Sequence, residues 1–169
     1  MPKNAVISEV LCTLILERRP EIARALLLER DIDLNHRTTD DITPLMLAAE
    51  TGHYYLVTLM LALGADANAV DRLGRTALMR AAKADDSQSV EWLLRAGAKV
   101  DQATTQQGWT ALMWAARHDG AKAIAALLIG GANRDLRDRE GQTALSLAIR
   151  YGHDDCRGLL ERSDDDAPP

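Results

Sequence analysis

The sequence predicts an all-α solenoid, a stack of about five helix-turn-helix units, and three observations carry that reading. Four blocks superimpose: Thr43-Pro44-Leu45-Met46-Leu47-Ala48-Ala49, Thr76-Ala77-Leu78-Met79-Arg80-Ala81-Ala82, Thr110-Ala111-Leu112-Met113-Trp114-Ala115-Ala116 and Thr143-Ala144-Leu145-Ser146-Leu147-Ala148-Ile149. Their threonines are almost evenly spaced, and Gly64-Ala65, Gly97-Ala98 and Gly131-Ala132 keep the same beat, so whole units repeat rather than one motif. Within the blocks apolar residues recur at helical spacing behind the Thr. A period in this range belongs to supersecondary units each too small to bury its apolar face alone.

Each element follows from local chemistry. The opening Thr is an N-cap whose hydroxyl accepts from the free N–H groups of the next helix, and Pro44 takes the first helical position, where a missing N–H costs nothing. Leu45, Ala48 and Ala49 fall on one face, and the alanines let helices of adjacent units approach closely. A second helix is expected over about 54–63, 88–96 and 122–130, carrying Leu59-Met60-Leu61, Trp92-Leu93-Leu94 and Ala126-Leu127-Leu128. It ends at Gly64, Gly97 or Gly131, where positive φ favours a residue without Cβ. Counting back one period from the first clear unit places Asn35 on Asn68, Leu27 on Met60 and Val10 on Thr43, a degenerate first unit.

Thr43-Pro44-Leu45, Ala48-Ala49, Gly52-His53 and Gly64-Ala65-Asp66-Ala67-Asn68 together resemble the ankyrin repeat. That resemblance implies units made of a β-turn finger and two antiparallel helices, at about 4–37, 38–70, 71–103, 104–137 and 138–162, within one domain over residues 1–162. The acidic tail, 163–169, is expected to be disordered. The histidine of the family's opening motif is replaced by Met46, Met79, Met113 and Ser146, and the turn glycine by Asp85 and Asp119. Those aspartates tolerate left-handed backbone less well, so looser turns are expected in the third and fourth units. A single extra residue lies in the finger between Thr104 and Gln107, where insertion is tolerated.

Arg24, Val57, Val90, Ile124 and Arg157 share one register. Arginine at the two outer units reads as a pair of capping repeats and leads to the expectation of a complete domain. With 47% apolar residues and only three Trp and three Tyr among 169 residues, the core is expected to be Ala and Leu. A formal charge of −5 argues against general affinity for nucleic-acid phosphate or anionic lipid. No run of about 18 apolar residues is present, and Glu9 interrupts the apolar start, so a cytoplasmic protein is expected. Cys12 and Cys156 fall in the first and last units, about four steps of roughly 10 Å apart, too far for a disulfide.

A search for catalytic constellations finds none. His53 and His153 occupy the Gly-His turn, His36 and His118 stand alone, and the glycines match no phosphate-binding loop. The chain is therefore read as non-enzymatic, with no cofactor and no metal. In the ankyrin family partners dock on the concave side, formed by finger tips and the open face of each first helix. If Leu45, Ala48 and Ala49 point inward, Glu50, Lys83, Arg117 and Arg150 share one register on that open face, flanked by Arg80, Trp114, His118 and Tyr151. Fingers add Ile42, Arg72, Arg75, Trp109 and Gln142.

This strip reads as a cationic groove on an acidic protein, rich in the residue types of interface hot spots. Trp109 is expected to contact a partner; Trp114 is either framework or contact. Trp92 and the Met46/Met79/Met113 ladder are expected to be packing. The function that follows is a non-catalytic interaction module that binds a folded protein with an acidic contact patch and inhibits or neutralises it, as an inhibitor or immunity-type protein does. An adaptor, scaffold or assembly chaperone is the alternative; an enzyme or nucleic-acid binder is the remote one. No nucleic acid or membrane partner is expected, and a monomer is favoured.

Overall fold

The computed structural model describes residues 3–28 and 32–161. Ten helices occur among them: α1 (Lys3–Leu16), α2 (Pro20–Leu27), α3 (Pro44–Glu50), α4 (Tyr54–Ala62), α5 (Ala77–Lys83), α6 (Ser87–Arg95), α7 (Ala111–Arg117), α8 (Ala121–Ile129), α9 (Ala144–Tyr151) and α10 (Asp154–Glu161). Each odd-numbered helix packs on the even one that follows it and on the next odd one, and the even helices stack likewise. The result is two helical layers, a solenoid of paired helices. No strand occurs among the described residues. The segment 163–169 lies outside them.

The caps fall where the chemistry puts them. Thr43, Thr76, Thr110 and Thr143 accept from the N–H groups of Met46, Met79, Met113 and Ser146 at 3.3, 3.3, 3.4 and 3.2 Å. Gly64, Gly97 and Gly131 take φ of 94°, 83° and 83° beyond the second helices, the geometry a side chain would resist. Ala48, Ala49, Ala81, Ala82, Ala115 and Ala116 are fully buried between neighbouring helices. Above them Met46, Met79 and Met113 are buried as well, so the methionine ladder is floor rather than open surface.

The first unit departs from the pattern. Its α1 spans 14 residues against seven in α3, α5 and α7, and Val10 lies inside the helix although it shares the register of Thr43. Valine offers no side-chain acceptor, so nothing stops the helix there. The buried Ser8 hydroxyl instead donates to Asp33 O at 3.0 Å and ties α1 to the loop ahead of the second unit. At the position compared across units, Val57, Val90 and Ile124 are fully buried, whereas Arg24 and Arg157 are exposed.

The turns at Asp85 and Asp119 correct the expectation of looseness. Both adopt left-handed backbone, at φ 53° and 59°, but their carboxylates reach into the next unit. Asp85 Oδ1 accepts from Ala123 N at 2.8 Å and thereby caps α8, whose own N-cap, Gly120, has no side chain to do so. Asp119 Oδ1 accepts from the Cys156 thiol at 3.5 Å at the same place on α10. Where the preceding turn residue is Gly52, α6 caps itself with Asp86, which accepts from Ser89 N at 3.1 Å. Asp85 thus caps the helix of the following unit, whereas Asp119 ties to a side chain of the following unit.

Loops between layers are stitched by one repeated bond. Asn35, Asn68 and Asp101 accept through Oδ1 from the N–H groups of Asp66, Lys99 and Asn133 at 2.9, 2.9 and 3.0 Å. Trp92 departs from the packing role its helix position suggests: it is 43% exposed on α6, with the Arg95 guanidinium 5.2 Å over its ring. Its register is Leu59 in the unit before and Ala126 in the unit after, and the larger indole extends past that groove into solvent.

Two outcomes test this packing. Leu93 is fully buried between stacked second helices, so Leu93→Ala should lower unfolding free energy by about 2 to 5 kcal/mol in a urea titration. Cys12 and Cys156 are buried free thiols; burial first, then nearby acidic groups, push them up to about 11 and about 12. Both should resist a thiol reagent in the native protein near neutral pH, where the thiolate is scarce. After denaturation without reductant, two equivalents per chain should react.

Candidate protein-binding face

The fingers that precede the first helices are hydrogen-bonded loops with one anchor each: Thr38, Asp71, Thr104 and Asp138, which recur at the period of the caps. Asp71 Oδ1 accepts from Leu73 N and Arg75 N, both at 2.9 Å, and Asp138 Oδ1 from Glu140 N and Gln142 N at 2.9 and 2.8 Å. This is the turn chemistry for which aspartate is favoured. Successive fingers touch through Arg72 N to Asp40 O, Thr105 N to Leu73 O and Arg139 N to Gln107 O, at 3.3, 3.0 and 3.0 Å. Gly74 lies at a close approach: its φ is 73° and a Cβ there would stand 2.9 Å from Thr105 N.

Fingers and first helices build one face in four registers. The residue before each Thr cap gives Ile42, Arg75, Trp109 and Gln142, and the middle of the helix gives Leu47, Arg80, Trp114 and Leu147. The helix ends give Glu50, Lys83, Arg117 and Arg150, followed by Thr51, Ala84, His118 and Tyr151. Ile42 leans into the core, and Gln142 accepts from Arg150 Nη1 at 3.0 Å through Oε1. The registers therefore align every sequence-selected residue except Arg72 along this face, with Ile42 turned toward the core and Arg80 buried. Arg72 turns to the neighbouring finger instead, 3.7 Å from Asp40 and 3.6 Å from Asp41.

The electrostatics differ from an open cationic groove. Arg80 is 5% exposed, in a register otherwise held by Leu47, Trp114 and Leu147, and its guanidinium binds Glu50 and, at 2.8 Å, Asp71. Arg75 Nε reaches the same Asp71 oxygen at 2.7 Å. Burial pushes the Asp71 carboxyl up, yet hydrogen bonds from the Arg75 N–H and side chain, Leu73 N–H and Arg80 outweigh it and leave the pKa below 3.8. Two of the expected groove cations are thus already neutralised. Desolvation is what demands it, since a charge buried in an otherwise apolar register must be paired. The sequence reading missed Asp71 and Asp138; their recurrence at the finger register was the available signal.

The fourth unit keeps its aromatic and cationic groups. Trp109 Nε1 donates to Asp138 Oδ2 at 2.9 Å, and the Trp109 and Trp114 rings meet edge to face at 5.1 Å. Trp114 in turn stacks on His118, ring centres 5.8 Å apart and planes 8° from parallel. The Arg117 guanidinium lies between rings, 5.4 Å from Trp109 and 4.7 Å from Tyr151, and donates to the Tyr151 hydroxyl. Lys83, Gln107, Trp109, Trp114, Arg117 and His118 line a cleft of about 390 Å³. Burial first, then the nearby Lys83, Arg117 and His153, push His118 below 6.5. Trp114 is half-buried against the core and also walls the cleft.

A sequence model of ankyrin repeats, in three copies, matches residues 11–104 and 85–167. The chain belongs to the ankyrin-repeat family. It is also similar to the mouse (Mus musculus) and rat (Rattus norvegicus) proteins named ankyrin repeat and SAM domain-containing protein 6, 41% identical to each over 96 residues. That match covers 50% of this chain and 11% of either relative, so the chain spans about a tenth of their length. Ankyrin repeats indicate a protein–protein interaction module. No described helix is long and apolar enough to cross a membrane.

The buried ion cluster makes a quantitative prediction for the ankyrin stack. Asp71→Ala leaves Arg80 buried with only Glu50 and should cost about 3 to 5 kcal/mol in chemical denaturation. Because the folded carboxyl pKa is depressed, the stability linked to it is full above the unfolded value and lost as pH falls through the folded one. Wild-type and Asp71→Ala stability curves should therefore converge on acidification.

Proposed function

We propose that this ankyrin domain is a non-catalytic binding protein that captures a folded partner on the concave face formed by fingers and first helices, and that capture inhibits or neutralises the partner. The observation that carries this reading is the Trp109, Trp114, Arg117, His118 and Tyr151 assembly, drawn from one finger and two first helices and left open to solvent on one side. Aromatic rings and arginine held rigid by each other lose little freedom on binding, which is the character of hot-spot residues. Lys83 and Arg150 flank the assembly and favour a partner with an acidic contact patch. A cytoplasmic, monomeric inhibitor or immunity-type protein needs no more than such a surface.

The test is affinity capture from the cytosol of the source cell with wild type and with a Lys83→Glu, Arg117→Glu double variant, followed by assay of the captured protein with and without this chain. The wild type is expected to retain one partner and depress its activity, and the double variant to lose it while keeping the wild-type circular dichroism. An unchanged partner activity would favour the adaptor or scaffold. Arg95→Glu, on the opposite layer, should bind normally; loss of capture by that change alone would show the wrong face had been chosen.

A further inference from the structure

The cleft in the fourth unit has a one-sided chemistry. Lys83, Arg117 and His118 bring donors to it, Trp109 and Trp114 supply its apolar walls, and no carboxylate is among its lining residues. Arg117 enters no ion pair among the described residues, its known contacts being aromatic rings and the Tyr151 hydroxyl. Lys83 meets a carboxylate only loosely, Glu50 at 3.5 Å, which leaves donors of its ammonium free. Trp114 also walls the adjoining cleft lined by Glu50, Arg75, Met79, Arg80 and Lys83. There the contrast is plain, because a carboxylate, Glu50, lines that cleft and pairs with Arg80, while Arg75 is taken by Asp71.

A second observation points the same way. Trp114 Nε1–H is buried without an acceptor, as is Arg80 Nε–H in the same register of the preceding unit. A buried indole N–H in that state costs free energy, which makes the Trp114 wall of the cleft polar as well as apolar. Trp109 does not share the cost, since Asp138 takes its N–H.

We infer that this cleft is a carboxylate-reading pocket that takes one glutamate or aspartate side chain of the partner protein, flanked by an apolar residue lying on the tryptophans. The inference rests on the proposed protein-binding role and narrows it from a diffuse acidic patch to one side chain. Lys83 and His118 would bind the carboxylate oxygens, while Arg117, fixed between Trp109 and Tyr151, sets the charge of the far wall. Lys83 and Arg117 place positive charge at the cleft that such a carboxylate would neutralise.

The experiment uses the whole chain and a defined probe, acetyl-Leu-Glu-Leu-amide, followed by NMR of the three indole N–H signals. The glutamate peptide is expected to shift the Trp109 and Trp114 signals saturably in the millimolar range and to leave Trp92, on the other layer, unmoved. Acetyl-Leu-Gln-Leu-amide should bind about tenfold more weakly, as loss of a charge-assisted hydrogen bond predicts. Lys83→Met and Trp114→Phe, read through Trp109, should weaken the glutamate peptide by a similar factor, and Arg95→Met should not. Equal shifts from the glutamine peptide would overturn the inference, as would equal shifts from inorganic phosphate, which would mean a site for any anion. If the peptide fails while the Lys83→Glu, Arg117→Glu chain still loses its captured partner, the pocket is refuted and the concave-face reading stands. If the peptide binds while that double variant still captures its partner, the cleft reads carboxylates but not those of the partner, and the concave-face reading falls with the partner assignment.

Discussion

Close approach of the first helices is the constraint on which this structure depends. A single repeat unit cannot bury its own apolar face, so stability requires each helix pair to sit against the next. Paired alanines such as Ala81 and Ala82 let the backbones come near, and Met46, Met79 and Met113 fill the space above them with unbranched, adaptable side chains. Once the helices are that close, register is no longer free. Every unit must present the same positions at the same height, and the polar bonds between units can recur at equal intervals.

Those bonds are shared between units rather than confined within them. Asp85 supplies α8 with the cap that Gly120 cannot, and Asn68 accepts from the Lys99 N–H of the following loop. A helix of seven residues is too short to stand alone in water. The termini of α5 are satisfied within the unit, by Thr76 at the start and by the N–H groups of Ala84, Asp85 and Asp86 at the end. What it needs from its neighbours is burial, so stability belongs to the stack. The fingers follow the same logic, each anchored by its own Thr or Asp and joined to the next by a single backbone bond.

The candidate site arises where two units depart from the repeat in different ways. In the third, Arg80 occupies an otherwise apolar register, and its burial draws in Asp71 and Glu50, so charge there is consumed by structure. In the fourth, Trp114 takes that register and the finger is one residue longer: Thr104 pairs with Trp109 across five positions, where Asp71 and Asp138 pair across four. Thr104 lacks the second oxygen that receives Arg75 in the third unit, and the Trp109 indole N–H goes instead to the anchor of the following finger. The same register is therefore neutral in one unit and donor-rich in the next.

The sequence by itself determined the solenoid, its period, the four Thr caps, the glycine exits and the set of positions that share one face. These depend on spacing and local hydrogen-bond chemistry, and both are written in consecutive residues. It also picked out Lys83, Trp109, Trp114, Arg117, His118 and Tyr151 by register. Only the tertiary structure decided that Arg80 is buried and spent, that Asp85 tightens rather than loosens its turn, that Trp92 is exposed, and that Arg117 lies between two rings. Each of these turns on how closely a side chain approaches groups in a neighbouring turn or unit. That distance sets desolvation and pairing, and charge or ring type alone does not encode it.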